Sequence, residues 1–235
     1  MNDTHPARSP LKLISSMATR ALLAELATAW QAAHPESPLA IESVGGVDAA
    51  KRVAAGEAFD AVVLAADAID KLIGGGHLLG PRLDLVRSGV AVAVREGAAK
   101  PDIGSEAALQ RAVQAARSIG YSTGPSGTQL LALFERWGLA DALREKLVQA
   151  PPGVPVGQLV AEGRVELGFQ QSSELMSLPG ITVLGAMPAP VQITTVFSAG
   201  LATASERPDA VRPLLAWLAA PAQAAIKARQ GMEAA

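Results

Sequence analysis

"GYSTGPSGTQLLALFERWG", residues 120–138, joins a short apolar segment to a helix-forming one through Thr123-Gly-Pro-Ser-Gly-Thr128. Leu130, Leu133, Phe134 and Trp137 recur at helical spacing, so an amphipathic helix begins just after Gly127. A helix start leaves backbone N–H groups unpaired and carries partial positive charge. Small residues there let an anion approach the backbone, with Ser126 and Thr128 as hydroxyl donors. The alternative is that Ser126 only caps the helix and the glycines only shape the turn. Under either reading a strand feeds directly into a helix, and that order decides the fold.

The same order recurs along the chain. LKLISS (11–16) leads into a helix carrying Leu22, Leu23, Leu26 and Trp30 on one side. LAIESV (39–44) leads through Gly45-Gly46 into VDAAKRVAAG. FDAVVLAA (59–66) is a continuous apolar run of the kind a buried parallel strand shows, and its helix ends in Gly74-Gly75-Gly76. GVAVAV (89–94), SIGYST (118–123), VELGFQQ (165–171), ITVLG (181–185) and TTVFSAGLA (194–202) supply further strands. Helices are expected near 110, 132, 143, 160, 215 and 226. Repeated strand–helix order means α/β layers with parallel sheets and crossover helices. The strands are many for one sheet, yet no linker interrupts them. Two lobes joined by crossing strands follow, with lobe 1 at 11–88 plus 198–235 and lobe 2 at 89–197.

Composition narrows the function. Hydrophobic residues make up 49% and charged residues 18% of 235, enough for sizeable cores. Net charge is −2 with no Lys/Arg block, so no nucleic-acid footprint is present. Backbone dipoles still bind small anions without net positive charge. The absence of cysteine removes disulfides and thiolate chemistry, and His5, His34 and His77 are too scattered for a zinc site. No metal or other cofactor is expected. The N-terminus shows no basic segment followed by an apolar stretch, and no apolar run is long enough to span a bilayer. The expectation is a cytoplasmic chain as written, or a periplasmic one if a leader was removed.

Ligands in open α/β sheets bind beyond the carboxyl ends of strands. Four such places carry small or polar groups: Ser15-Ser16, Gly45-Gly46-Val47-Asp48, Gly124–Thr128 and Gln170-Gln171-Ser172-Ser173. Each has a purely structural alternative, as a cap, a tight turn or a polar strand end. Arg20, Arg52 and Arg87 are cationic candidates, with surface salt bridges as their ordinary fate.

From Leu11 to Gly231 the chain resembles the molybdate-binding branch of the type 2 periplasmic solute-binding proteins. The resemblance rests on ISSMATRALLAELATAW, AAGEAFDAVVLAA and VAEGRVELGF. GPSGTQLLALFERWGL, ELGFQQSSELMSLPGI and ITTVFSAG look like a sub-branch related to aconitate isomerase. It implies two lobes, each a mainly parallel sheet flanked by helices, with the ligand cleft between them. The implied ligand-binding positions are Ser15, Ser16, Gly46, Val47, Ser126, Gly127, Val156 (or Val154) and Gln171, with Arg20 and Arg52 as carboxylate partners. Typical molybdate binders have a serine where Gly46-Val47 stands and a tyrosine where Gln171 stands. Those departures favour a carboxylate over the tetrahedral oxyanion. The implied partners are a small anion and, if the chain is exported, an ABC transporter permease. An aconitate-isomerase-like enzyme is the alternative, with Asp48 or Glu174 as base. A third reading treats the chain as an interaction module with a vestigial cleft.

Overall fold

The computed structural model describes residues 9–235, so His5 lies outside the described residues. The chain runs β1 (Leu11–Ser16), α1 (Arg20–Ala33), β2 (Leu39–Val44), α2 (Gly46–Ala54), β3 (Ala61–Ala65), α3 (Ala66–Gly74) and β4 (Leu78–Arg95). It continues with α4 (Glu106–Ala115), β5 (Ile119–Tyr121), α5 (Pro125–Arg136), α6 (Ala140–Leu143), β6 (Leu147–Gln149), α7 (Val156–Ala161) and β7 (Leu167–Gln171). α8 (Ser172–Leu175), β8 (Ile181–Ala186), β9 (Thr194–Ala202), α9 (Pro208–Ala219), α10 (Ala224–Arg229) and β10 (Glu233–Ala234) complete it.

The strand order is β2-β1-β3-β9-β4-β7-β5-β6, and its first three members and β7-β5-β6 are joined by parallel pairings. The chain divides into two compact units, one reaching Val86 and resuming at Val196–Ala235, the other Arg87–Thr195. Each division falls two residues before the one expected from sequence. β4 and β9 run through both units.

In the first unit, strand alternation sends side chains into two separate cores. Ala61, Val63 and Ala65 of β3 join Leu13, Leu22, Leu26, Trp30 and Leu214 on one face. Val62 and Leu64 join Ile14, Val53, Ile69 and Leu72 on the other. A strand buried on both faces needs the continuous apolar run that 61–65 supplies. Each large aliphatic side chain buried this way stabilises by about 1.5–3 kcal/mol. Asp60 pins the entry to this sheet by accepting hydrogen bonds from the Lys12 N–H, the Ser205 hydroxyl and Arg207. Burial opposes its ionisation, yet those three donors hold its carboxyl below the ordinary range.

The second unit repeats the device. Val90, Val92 and Val94 of β4 and Leu167 and Phe169 of β7 face Leu109, Leu130, Leu133 and Phe134. Ala91 and Ala93 face Leu175, while α7 contributes Val156, Leu159 and Val160 to a core with Val165. Close approach of α7 to the sheet requires glycine beneath it. A Cβ at Gly168 would lie 2.5 Å from Val160 Cγ2, and one at Gly120 would lie 2.9 Å from Val156 Cγ1.

β4 begins eleven residues before the segment 89–94 read from sequence, because Leu79-Gly80-Pro81 carries turn-forming residues within the strand. The short β6 and β10 were not expected either. They have few residues to display a period.

Candidate functional site

At the end of β1, Ser15 and Ser16 point to opposite faces. Ser15 Oγ lies 2.8 Å from Ser43 Oγ, its register partner on β2. Ser16 is 7% exposed, and its Oγ is buried without a hydrogen-bond partner. Ser16 does precede a short 3-10 turn, but its side chain makes no capping bond. The capping alternative therefore does not explain Ser16.

α2 starts on the same face. Its N-cap is Gly45, which offers no side-chain bond, and the first helical bond runs from Ala49 N–H to the Gly45 carbonyl. The N–H groups of Gly46, Val47 and Asp48 thus have no carbonyl one turn back to bond. A Cβ on Gly46 would stand 3.5 Å from Ser16 Cβ, so this bare helix start lies against the Ser16 side chain. The Val47 side chain is 48% exposed and Asp48 is exposed.

The strand ends of the second unit differ. Gly124, not Ser126, is the N-cap of α5, and Ser126 lies inside the helix with its hydroxyl 3.1 Å from Ser122 Oγ. Pro125 has no N–H, and Gly127 N–H already donates to the Gly124 carbonyl at 3.0 Å. Gly127 serves packing: a Cβ there would fall 1.9 Å from the Ser122 carbonyl oxygen. Val156 N–H donates to Gln170 Oε1 at 2.7 Å, and Val154 N–H to the Pro151 carbonyl at 3.0 Å. Of the backbone donors expected in this unit, Ser126 N–H alone lacks an acceptor of this kind among the described residues.

Gln170 and Gln171 divide by strand alternation. Gln170 faces α7, accepting from Val156 N–H and donating from Nε2 to Glu174 Oε1 at 2.8 Å. Glu174 is half-buried, and desolvation pushes its carboxyl up to about 7 against the small opposing effect of Gln170. Gln171 faces the other side. Its Nε2 donates to Thr195 Oγ1 at 2.8 Å, while its Oε1 is buried and unpartnered.

The cationic candidates are placed unequally. Arg52 donates to Glu42 and Glu57 and stacks over the Phe59 ring, with Cζ 5.2 Å from its centroid. Its fork is already occupied by carboxylates of its own unit. Arg20 and Arg87 are exposed and join none of the ion pairs among the described residues. A pocket of about 380 Å³ lies between Lys12, Ile41, Glu57 and Phe59, toward the opposite ends of β1 and β2 from Ser16 and Ser43. Among the described residues no group of three or more His, Asp or Glu could hold a metal ion. No described helix is long and apolar enough to cross a membrane.

Residues 11–233 match the family model described as bacterial extracellular solute-binding protein. The chain belongs to that family. Within the solute-binding proteins, solved structures share its fold. A periplasmic molybdate-binding protein from Azotobacter vinelandii superposes with TM-score 0.75 at 22% identity, covering 94% of this chain and 98% of that one. The substrate-binding domain of a molybdenum ABC transporter from Clostridium difficile gives 0.74 at 15% identity, covering 96% and 99%. A sulfate-binding protein from Mycobacterium tuberculosis gives 0.78 at 14% identity, covering 95% and 86%. In sequence, the chain is 40% identical over 170 residues to an aconitate isomerase from a Pseudomonas species. That match covers 72% of this solute-binding chain and 64% of the isomerase's own length.

Sequence reasoning missed Ser43, Ser122 and Thr195, the hydroxyl partners of Ser15, Ser126 and Gln171. Only strand pairing could have found the first. Ser122 was within reach, four residues from Ser126 on one local turn.

Proposed function

We propose that this chain binds a small carboxylate-bearing anion. The candidate contacts are Ser16 and the Gly46–Val47 helix start in the first unit, and Ser126 and Gln171 in the second. The observation that carries the reading is the buried, unpartnered Ser16 hydroxyl beside the uncapped start of α2, a donor with no acceptor of its own; Gln171 Oε1 is buried and unpartnered too, and calls for a donor on the ligand. Buried polar atoms without partners are rare in folded proteins and mark places where something else binds. The choice of carboxylate rests on the donors that are already used. Gly127, Val154 and Val156 N–H groups bond within the protein, leaving few donors for four oxygens of a tetrahedral anion. Each missing donor to a buried charged oxygen costs about 1–3 kcal/mol. Arg20, four residues after Ser16 and exposed, is the cation best able to join a carboxylate, whereas Arg52 is occupied. If the chain works outside the inner membrane, an ABC transporter permease is the partner that receives the solute.

Calorimetry with molybdate, sulfate, citrate and the two aconitates tests this. The expected result is binding of a carboxylate in preference to molybdate. Ser16→Ala should lower that affinity roughly 5- to 150-fold without lowering the melting temperature of the free protein. Sub-micromolar molybdate binding with no response to any carboxylate overturns it.

Glu174 supports a second reading, an isomerase that moves a proton on a bound tricarboxylate. A carboxyl raised to about 7 suits a general base at neutral pH, and the 40%-identical relative is named for that reaction. Following cis- and trans-aconitate signals by NMR decides it: interconversion lost in Glu174→Gln supports turnover, and unchanged spectra leave binding alone.

A further inference from the structure

Resting on the anion-binding reading, we infer that the second unit selects a hydroxylated carboxylate, with Gln171 Oε1 and Ser88 Oγ receiving the ligand hydroxyl. Ser88, Val90, Val92 and Val94 alternate onto one face of β4, and the three valines line the core that Phe169 of β7 also enters. Gln171 pairs in register with Val90, so its side chain shares that face, diagonal to Ser88. Both residues are nearly fully buried, at 0% and 3% exposure, and both retain a polar atom with no partner. Two such atoms as diagonal neighbours form an unmatched pair rather than an isolated defect.

The chemistry of the pair is specific. The Gln171 Nε2 donor is taken by Thr195 Oγ1 at 2.8 Å, which turns the amide so that its acceptor is the free end. An amide oxygen cannot satisfy a carboxylate oxygen, because both only accept. It needs a donor. Ser88 Oγ accepts or donates and so completes a two-point contact with a hydroxyl, which does both. An ammonium group would also donate, but burying its charge against two neutral acceptors is costly. The neutral hydroxyl fits. Gln192 Oε1 is also buried and unpartnered, but its amide packs on Gly89, which alternates onto the opposite face of β4. It is therefore not part of the pair.

The test compares matched acids that differ by one hydroxyl: malate against succinate, and citrate against tricarballylate. Calorimetry on the wild-type protein should show the hydroxy acid binding about 5-fold or more tighter in at least one pair. Gln171→Met and Ser88→Ala should each bring the two members toward equal affinity. Thr195→Val releases the amide to rotate and should reduce the preference while retaining binding, a change that loss of packing alone does not produce. It also keeps the test open should Gln171→Met fail to fold. Equal affinity for hydroxy and deoxy acids in the wild type, or a preference that survives all three substitutions, overturns this inference but not the anion-binding reading. Failure of all four acids while an aconitate binds overturns this inference alone, and failure of every carboxylate, the aconitates included, overturns both.

Discussion

The starts of α2 in the first unit and of α5 in the second share one sequence signal, and the resemblance implies a donor at the start of α7 too, yet the three present different chemistry. α2 opens on Gly45 with no side-chain cap and lies against the side chain of Ser16, whose hydroxyl is unpaired. At α5, Pro125 removes one donor and Gly124 takes the Gly127 N–H. At α7, Gln170 reaches from β7 to take the Val156 N–H. A strand, small polar residues and a helix therefore define where an anion could sit, not whether the donors are available. Availability is set by neighbours far away in sequence.

Glycine substitution should break this contrast most sharply. Gly127→Ala drives a Cβ into the Ser122 backbone carbonyl and is expected to destabilise by about 3 kcal/mol or more. Gly46→Ala meets only Ser16 Cβ at ordinary contact distance and should leave stability nearly unchanged. Chemical denaturation of the two variants checks both, and equal losses would mean that the two helix starts are packed alike.

Glu174 gives the next effect, through pH. Its carboxyl is raised from 4.5 to about 7, so the folded protein retains a proton that the unfolded chain has released. This group therefore favours folding most below about pH 4.5. Stability should fall as pH rises from 4.5 to 7 and level off above, by at most roughly 3 kcal/mol. Glu174→Gln should remove that slope, as measured by denaturation across the range.

Gln170→Leu sharpens the comparison at α7 by turning a closed helix start into an open one. It leaves Val156 N–H buried and unpaired, for an expected loss of about 1–3 kcal/mol. It also removes the hydrogen bond that restrains Glu174, whose NMR titration should move further upward. The smallest effect is expected from Arg52→Ala. Its ion pairs lie at the surface, so stability should change little and the change should vanish at high salt. Carboxylate affinity should stay within about twofold of wild type; a large drop would show that Arg52 leaves Glu42 and Glu57 to bind the ligand.

The sequence by itself determined the α/β class, the strands Leu11–Ser16, Leu39–Val44 and Thr194–Ala202, and the places where strands run into helices. It could do so because periodicity and continuous apolar runs are local consequences of which faces are buried. The departures at Gly46-Val47 and Gln171 were legible only against the pattern of the molybdate-binding proteins that the sequence resembles. Only the tertiary structure decided which of those polar groups are available. It joined Ser15 to Ser43, Gln171 to Thr195 and Gln170 to Val156 across 28, 24 and 14 positions. It also tied Arg52 to Glu42 and left Ser16 Oγ alone. A hydrogen bond between strands depends on register and on which face each side chain takes. Those quantities exist only once the sheets have formed.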